Sequence, residues 1–488
     1  MKKRSLTAKT LLLAFGKILA AFATLGIGAV LTRTLSLEDF ATHKQALMTF
    51  AILAPVLSLG MPKALYFFLP GESGRPRSVL VENLMVLATL GVCFCLLILL
   101  GGSQFFVDHF NNPKLADVLP QVAFYGLFMI PLAATSAALM ARDRVETLVG
   151  FQLSTQALLI VGVATAAIVF RTPKATITAY LAWSGIALTL GLTLMLKATR
   201  QSAPLKPKIS GIKNQLRYGI PLGLAAMFGS ISAQLDKYMV SVLCSTEDFA
   251  IYVAGAVELP LIGVITGAMN AVVLPELAKF FKAGKLNEIR LLWQRAMNKA
   301  ILILAPATFI VLLFGTELIT LIFSARYAEA ATPMRIYALS LPIRAAVYGS
   351  VLMATNKTKW VTGAAIFGLS LNTVLNYWLV GRLGYAGAAW ATVATTYGVV
   401  MVLLYPLCKA LKTTPAHLFD WKHLSRVMIA CAAPAALAYG CLAAVELEGL
   451  TRLFVGTALY CLTVLVAYRL LRITTIRELI AFLRKRKT

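Results

Sequence analysis

Seven ionisable side chains fall inside long apolar runs: Lys17, Lys63, Glu82, Asp236, Lys237, Glu258 and Arg344. A charge at mid-bilayer costs a few kcal/mol, so each needs a cavity or an opposite charge to face. Four of the seven are cations. Lys17, Lys63, Lys237 and Arg344 would give a cavity a positive field and favour an anion such as a phosphate or pyrophosphate. Lysine would supply a point charge and arginine a bidentate grip. Asp236 and Glu258 are the candidate carriers of a coupling ion; as salt-bridge partners of Lys237 or Arg344 they would neutralise the field instead. Successive helical residues point about 100° apart, which argues against Asp236 pairing with Lys237 itself. Glu82 is expected near the inner surface.

The elements that must hold these charges follow from composition. The chain has 488 residues, 59% of them hydrophobic and 14% charged, with mean hydropathy +0.79. Soluble domains carry about a quarter charged residues. Apolar runs long enough to cross a bilayer recur from end to end, and lipid forces each into a helix. The fold class is therefore an all-α integral membrane protein. Fourteen crossings are expected: 10–32, 42–69, 79–101, 118–140, 148–170, 175–197, 217–243, 250–274, 299–323, 333–355, 360–381, 385–407, 426–445 and 452–470. The topology depends on 170/175 and 381/385 being turns. With both termini inside, the outer loops hold only Arg33, Lys44, Lys114, Arg171, Lys174, Arg326, Arg382 and Arg452. The other loop cations lie inside, as the positive-inside rule demands. That distribution accounts for most of the net charge of +26 and leaves little reason to invoke nucleic acid.

Two hexapeptides, SLEDFA at 36–41 and STEDFA at 245–250, are nearly identical, and LMARDR at 139–144 resembles LMATNK at 352–357. The matching offsets imply a parallel repeat in which helices 1–6 correspond to helices 7–12. Residues 1–200 form one lobe, 201–410 the other, and 411–488 add helices 13 and 14 with a basic cytoplasmic tail. The Pro- and Lys-rich stretch 197–213 is the linker. In each hexapeptide a serine precedes an acid by three residues, so Ser36 with Asp39, and Ser245 with Asp248, are expected helix caps. A catalytic role for the acids, as in some membrane glycosyltransferases, is disfavoured by the duplication. Lys17, Lys63, Lys237 and Arg344 break the repeat, which makes them better functional candidates. Basic stretches at 276–299 and 472–487 suit interfacial amphipathic helices or solvated loops. Neither the seven cysteines nor the four histidines show metal-ligand spacing, and no cofactor is expected.

The stretch RYGIPLGLAAMFGSISAQLDKYMVSVLCSTEDFAIYVAG (217–255) resembles the seventh and eighth helices of bacterial polysaccharide flippases of the Wzx type. LTRTLSLEDFATHKQALMTF (31–50) resembles their first loop, and GYAGAAWATVATTYG (384–398) their twelfth helix. These proteins belong to the multidrug/oligosaccharidyl-lipid/polysaccharide exporter superfamily. The resemblance implies two six-helix lobes around a central cavity with alternating access. The implied cargo is an undecaprenyl-pyrophosphate-linked oligosaccharide, turned from the inner to the outer leaflet of the bacterial cytoplasmic membrane. The implied partners are membrane lipids and a polysaccharide polymerase with its export machinery, the flippase itself acting as a monomer. Fourteen helices also suit the related lipid II flippases.

Other classes fit less well. Drug exporters of this superfamily usually place an acid in the first helix, where this chain has Lys17. A membrane glycosyltransferase or polymerase would need a large outer loop, but the longest outer connections, 102–117 and 324–332, are short. The expectation is a transporter, not an enzyme.

Overall fold

The computed structural model of the chain describes residues 6–71, 74–200, 205–257, 267, 273–445 and 447–473; side chains at 6–15, 17, 225 and 226 are not described. Every regular element among these residues is helical. Among the described residues nine helices are long and apolar enough to cross a membrane, and two bent pairs, Leu37–Leu57 with Met61–Pro70 and Ala325–Ala338 with Ile343–Ala354, bring the number to eleven if each pair is one span. The three other expected crossings have separate reasons for falling outside this set. The first is described as a short apolar helix, Ile18–Thr34. The seventh, Ile209–Leu243, is rich in polar residues. The eighth lies mostly outside the described residues. The two short connections are true turns. Arg171 (φ 52°) and Gly384 (φ 58°) adopt left-handed φ values there, and Thr172 caps the next helix through Ala175 N–H.

Packing divides the chain into two compact units, Met1–Val253 and Ala254–Thr488. The first contains α1 (Leu6–Thr34), α2 (Leu37–Leu57), α3 (Met61–Gly71), α4 (Pro76–Leu97), α5 (Ser103–His109), α6 (Leu119–Leu132), α7 (Ala134–Ala141), α8 (Val145–Phe170), α9 (Pro173–Ala198), α10 (Ile209–Leu243) and all but the last two residues of α11 (Thr246–Gly255). The sequence repeat would start a new lobe with α10, yet α10 packs on α2, α3 and α4. Its first turns are fastened to α4 by buried polar groups. Glu82 accepts from Arg75 (3.1 Å), Lys208 N–H (2.9 Å) and Gln215 Nε2 (3.4 Å). Asn83 Nδ2 donates to Gln215 Oε1 and to the Met61 carbonyl, both at 2.8 Å. Glu82 is thus the buried anchor of the linker, with Arg75 as its counter-charge.

The second unit is built on α12 (Leu286–Ile322). Its 37 residues span about 55 Å at 1.5 Å per residue, against a bilayer core of about 30 Å. Residues 286–299 are therefore neither an interfacial helix nor a loop. They extend a spanning helix, held by packing rather than lipid: Trp293 is buried against Tyr348 and Phe419, and Gln294 donates to the His417 and Leu418 carbonyls. α12 kinks at Phe314 (φ −114°, ψ 20°), where Arg335 Nε donates to the Leu312 carbonyl (3.1 Å). The unit continues through α13 (Ala331–Ala338), α14 (Tyr348–Ala354), α15 (Thr358–Leu383), α16 (Tyr385–Leu411), α17 (Pro415–Leu418), α18 (Trp421–Ala444) and α19 (Gly449–Leu470). α18 and α19, the pair outside the repeat, pack on α12 around Phe314, Leu442 and Leu453.

Candidate functional site

Ser36 fixes where α2 begins. Its Oγ accepts from Asp39 N–H at 3.1 Å, so the helix starts at Leu37. Lys44 is then seven residues inside α2, not in the loop where charge counting puts it. On α10, Lys237 lies six residues before Leu243. At 1.5 Å per residue both ammonium groups are rooted about 10 Å in from the same end of the unit. Gln45, next to Lys44, bonds Ser241, one turn from Lys237, so the two lysines lie at the same contact between α2 and α10. Lys44 Nζ also sits 5.2 Å from the centre of the Phe40 ring. Neither lysine forms a salt bridge among the described residues. The neighbouring Asp236 is turned elsewhere: Tyr252 OH donates to Oδ2 (2.8 Å) and Lys237 N–H to Oδ1 (2.8 Å).

Buried hydrogen bonds hold the two helices around this pair. Gln45 Nε2 on α2 donates to Ser241 Oγ on α10 at 2.9 Å. Asn112 Nδ2 donates to Gln45 Oε1 (2.6 Å) and Thr42 Oγ1 (2.9 Å). His43 Nδ1 and Thr176 Oγ1 share a bond of 2.8 Å, and His109 Nε2 and Tyr238 OH one of 2.6 Å. Such a network restricts side chains to few arrangements, although the buried His43 Nε2 has no hydrogen-bond partner. The result is a wall of two packed helices that carries two like charges. Like charges in a half-buried setting favour an anion between them.

The two hexapeptides differ in their second interaction. Asp39 and Glu38 both bind Lys114 Nζ, each at 2.9 Å. Hydrogen bonds to Glu38 and then Asp39 push the Lys114 pKa above its ordinary value. In the other copy Asp248 turns back instead. It accepts from Ser245 N–H (3.3 Å) and Ser245 Oγ–H (2.7 Å), while Asp248 N–H donates to Ser245 Oγ (3.1 Å). Beside it, burial and then the Asp248 charge push the Cys244 thiol up to about 11.

The remaining candidates are dispersed. Lys63 Nζ donates to the Leu222 carbonyl on α10 at 3.4 Å. Leu222 lies 15 residues, or about 22 Å, from Lys237 along the helix. Lys17 is on α1, and its side chain is not described. Glu258 lies outside the described residues. Arg344 belongs to the second unit, on a half-buried 3-10 turn, Ile343–Ala345, at a 56° break after Pro342. Pro342 accounts for the break there, whereas sequence reasoning missed Lys44. The cap at Ser36 was the available signal, because it starts α2 five residues before the apolar run does. It also missed the buried Asn372 and Asn376 of α15; Asn372 donates to Thr395 Oγ1 at 3.3 Å and Asn376 to the Asn372 carbonyl at 2.8 Å. No group of three or more His, Cys, Asp or Glu capable of holding a metal occurs among the described residues.

Residues 77–459 match the family described as lipid II flippase MurJ. A probable low-salt glycan biosynthesis flippase, Agl15 of Haloferax volcanii, is 21% identical over 61% of this chain and 62% of its own length. A probable lipid II flippase MurJ of Rhizobium meliloti is 23% identical over 41% of this chain and 39% of its own length. The chain thus spans less than two thirds of either curated relative. Among solved structures, lipid II flippase MurJ in an inward closed conformation aligns with TM-score 0.76 and 14% identity, covering 97% of this chain and 100% of that one. An inward-facing multidrug resistance MATE family transporter of the MOP superfamily aligns with TM-score 0.62 and 13% identity, covering 80% and 95%. These likenesses establish the superfamily fold that the sequence resemblance implied. The matched family is MurJ and not the Wzx type.

Proposed function

The chain belongs to the lipid II flippase MurJ family, and from that premise we propose that it turns over a polyprenyl-pyrophosphate-linked oligosaccharide between leaflets of the cytoplasmic membrane. It is a multi-pass transporter, not an enzyme. The observation that carries the cargo reading is the Lys44–Lys237 pair, two cations on the packed helices α2 and α10 with no salt bridge among the described residues. A pyrophosphate is the lipid-borne group whose charge such a pair complements. Sugar and pyrophosphate would pass through a polar path while the tail stays in lipid. Alternating access would move it. Positive-inside bias favours both termini in the cytoplasm and net movement from inner to outer leaflet. Lys17, Lys63 and Arg344 are candidate contacts at other depths. Asp236, held by Tyr252, and Glu258 are the candidate coupling-ion carboxylates.

The finer reading is an undecaprenyl-pyrophosphate repeat unit destined for a surface polysaccharide. A second reading, lipid II, is favoured by the extent of the family match, which runs from α4 into α19. Both cargoes present the same pyrophosphate to the lysines. Mass spectrometry of lipid extracts from a strain lacking the protein separates them. Accumulation of a polyprenyl-pyrophosphate oligosaccharide, inaccessible from outside and cleared by the intact gene, supports the first. Accumulated lipid II supports the second. Neither lipid, with raised sensitivity to cationic dyes, overturns both.

A further inference from the structure

Two helices of the first unit are weak at the same point. The α2–α3 pair breaks at residues 58–60 and turns by 47°, with left-handed φ at Leu59 (47°) and Gly60 (67°). Opposite this break α10 carries Gly219, Pro221 and Gly223. Glycine loosens a helix, and proline removes one of its hydrogen bonds. The two weak points touch through backbone. A Cβ added to Gly60 would overlap the Gly219 carbonyl and approach Gly223 N to 2.6 Å; one added to Gly223 would lie 2.5 Å from Gly60 N. The helices meet there backbone to backbone, with Lys63 Nζ of α3 reaching the Leu222 carbonyl of α10 (3.4 Å).

Each side of the crossing is braced separately. On one side Gln45 of α2 bonds Ser241 of α10 (2.9 Å). On the other, Asn83 of α4 bonds both Met61 O of α3 and Gln215 of α10 (2.8 Å each), and Gln215 Nε2 donates to the Val79 carbonyl (3.1 Å). Bonds run across within each half, Phe50 of α2 meets Phe94 of α4 edge-on between them (5.7 Å), and the backbone is weakened at the crossing.

We propose that this crossing is a joint: α2 and residues 224–243 of α10 swing about it as one body, relative to α3, α4 and residues 209–218. The proposal rests on the transporter reading only for its purpose, which is to open and close access. Lys44 and Lys237 both ride on the swinging body, so the cation pair travels intact with whatever anion it holds. Lys63 stays on the other body. Lys237 lies 14 residues beyond Gly223, about 21 Å, so each 10° of swing carries it about 4 Å.

The test uses purified full-length protein in nanodiscs, cleared of its native cysteines. Nitroxide pairs are placed at exposed positions, Leu243 with Tyr66 across the joint and Leu243 with Val56 within one body. Distances are measured with and without undecaprenyl pyrophosphate. The joint gives two populations, or a shift, across it and a single unshifted distance within the body. Shifts in both pairs alike, or in neither, overturn the proposal. One variant checks the consequence for transport. Pro221→Ala raises the melting temperature and slows transport at least tenfold. Full activity of that stiffened variant contradicts the joint. The distance result is independent of cargo, so failure of the flippase reading leaves it standing.

Discussion

Replacing Glu82 by alanine should destabilise the first unit by about 3 kcal/mol. The Glu82 side chain is 2% exposed and that of Arg75 30%. Removing the carboxylate strands the Lys208 N–H, a buried donor worth about 1–3 kcal/mol when left unpaired. It also removes a charge-assisted bond of about 1.5–3 kcal/mol, reduced to about 1 because Arg75 keeps water and the Lys206 carbonyl at 2.8 Å. Gln215 loses less, since its Nε2 still has the Val79 carbonyl at 3.1 Å. Arg75→Ala should cost about as much, because it leaves a buried carboxylate without its counter-charge. Glu82→Gln keeps an acceptor and should cost about 1–2 kcal/mol. Chemical unfolding in mixed micelles of both single variants and the double variant closes the cycle, with an expected coupling of about 1–2 kcal/mol. A loss from Glu82→Ala below about 0.5 kcal/mol, as for an exposed ion pair, would refute the buried-anchor reasoning.

The other predictions concern the opposite end of the unit. Lys44→Met and Lys237→Met should each cut transport at least tenfold at normal expression, while Lys237→Arg retains part of it; full activity of both neutral variants, read by cell-surface glycan, sinks the paired-cation site. Asn112→Ala strands Gln45 and should lower stability by about 1–3 kcal/mol, seen as a lower unfolding midpoint. Because the Cys244 thiol is held up to about 11 and the thiolate is the reactive form, maleimide labelling of a variant keeping only Cys244 should stay slow at neutral pH and rise only in strong alkali. A labelling midpoint near the ordinary thiol value of about 8.5 contradicts that burial. Lys114 has a raised pKa, so its bridge to Glu38 and Asp39 is complete below the usual lysine value of 10.5 and fades only as pH rises above it. Lys114→Met should therefore narrow the unfolding difference from wild type only on the alkaline side.

Much of the fold was legible because lipid leaves the chain few options. Apolar length alone gives the order of helices, and Pro342 gives the break before Arg344. The Ser245–Asp248 spacing encodes a reciprocal cap within four residues. What was hidden depends on contacts between distant segments. Lys44 looked like a loop charge because apolarity begins after the helix does. Residues 286–299 looked like a basic surface stretch, but Trp293 and Gln294 find partners more than fifty residues away. The repeat assigned α10 to the second lobe. Yet Gln215 and Ser241, unremarkable in sequence, bond it to α4 and α2. Spacing along one helix cannot reveal such pairings, since they join residues over 100 positions apart.

The central claim is that the Lys44–Lys237 pair handles a lipid-borne pyrophosphate. Its most direct measurement is flipping of fluorescent undecaprenyl-pyrophosphate oligosaccharide in proteoliposomes. Wild type is compared with the Lys44→Met, Lys237→Met double variant and with a cargo bearing no phosphate. Rapid movement by wild type alone, and only of the pyrophosphate lipid, is the predicted result. Equal movement by the double variant, or of the uncharged cargo, would contradict it.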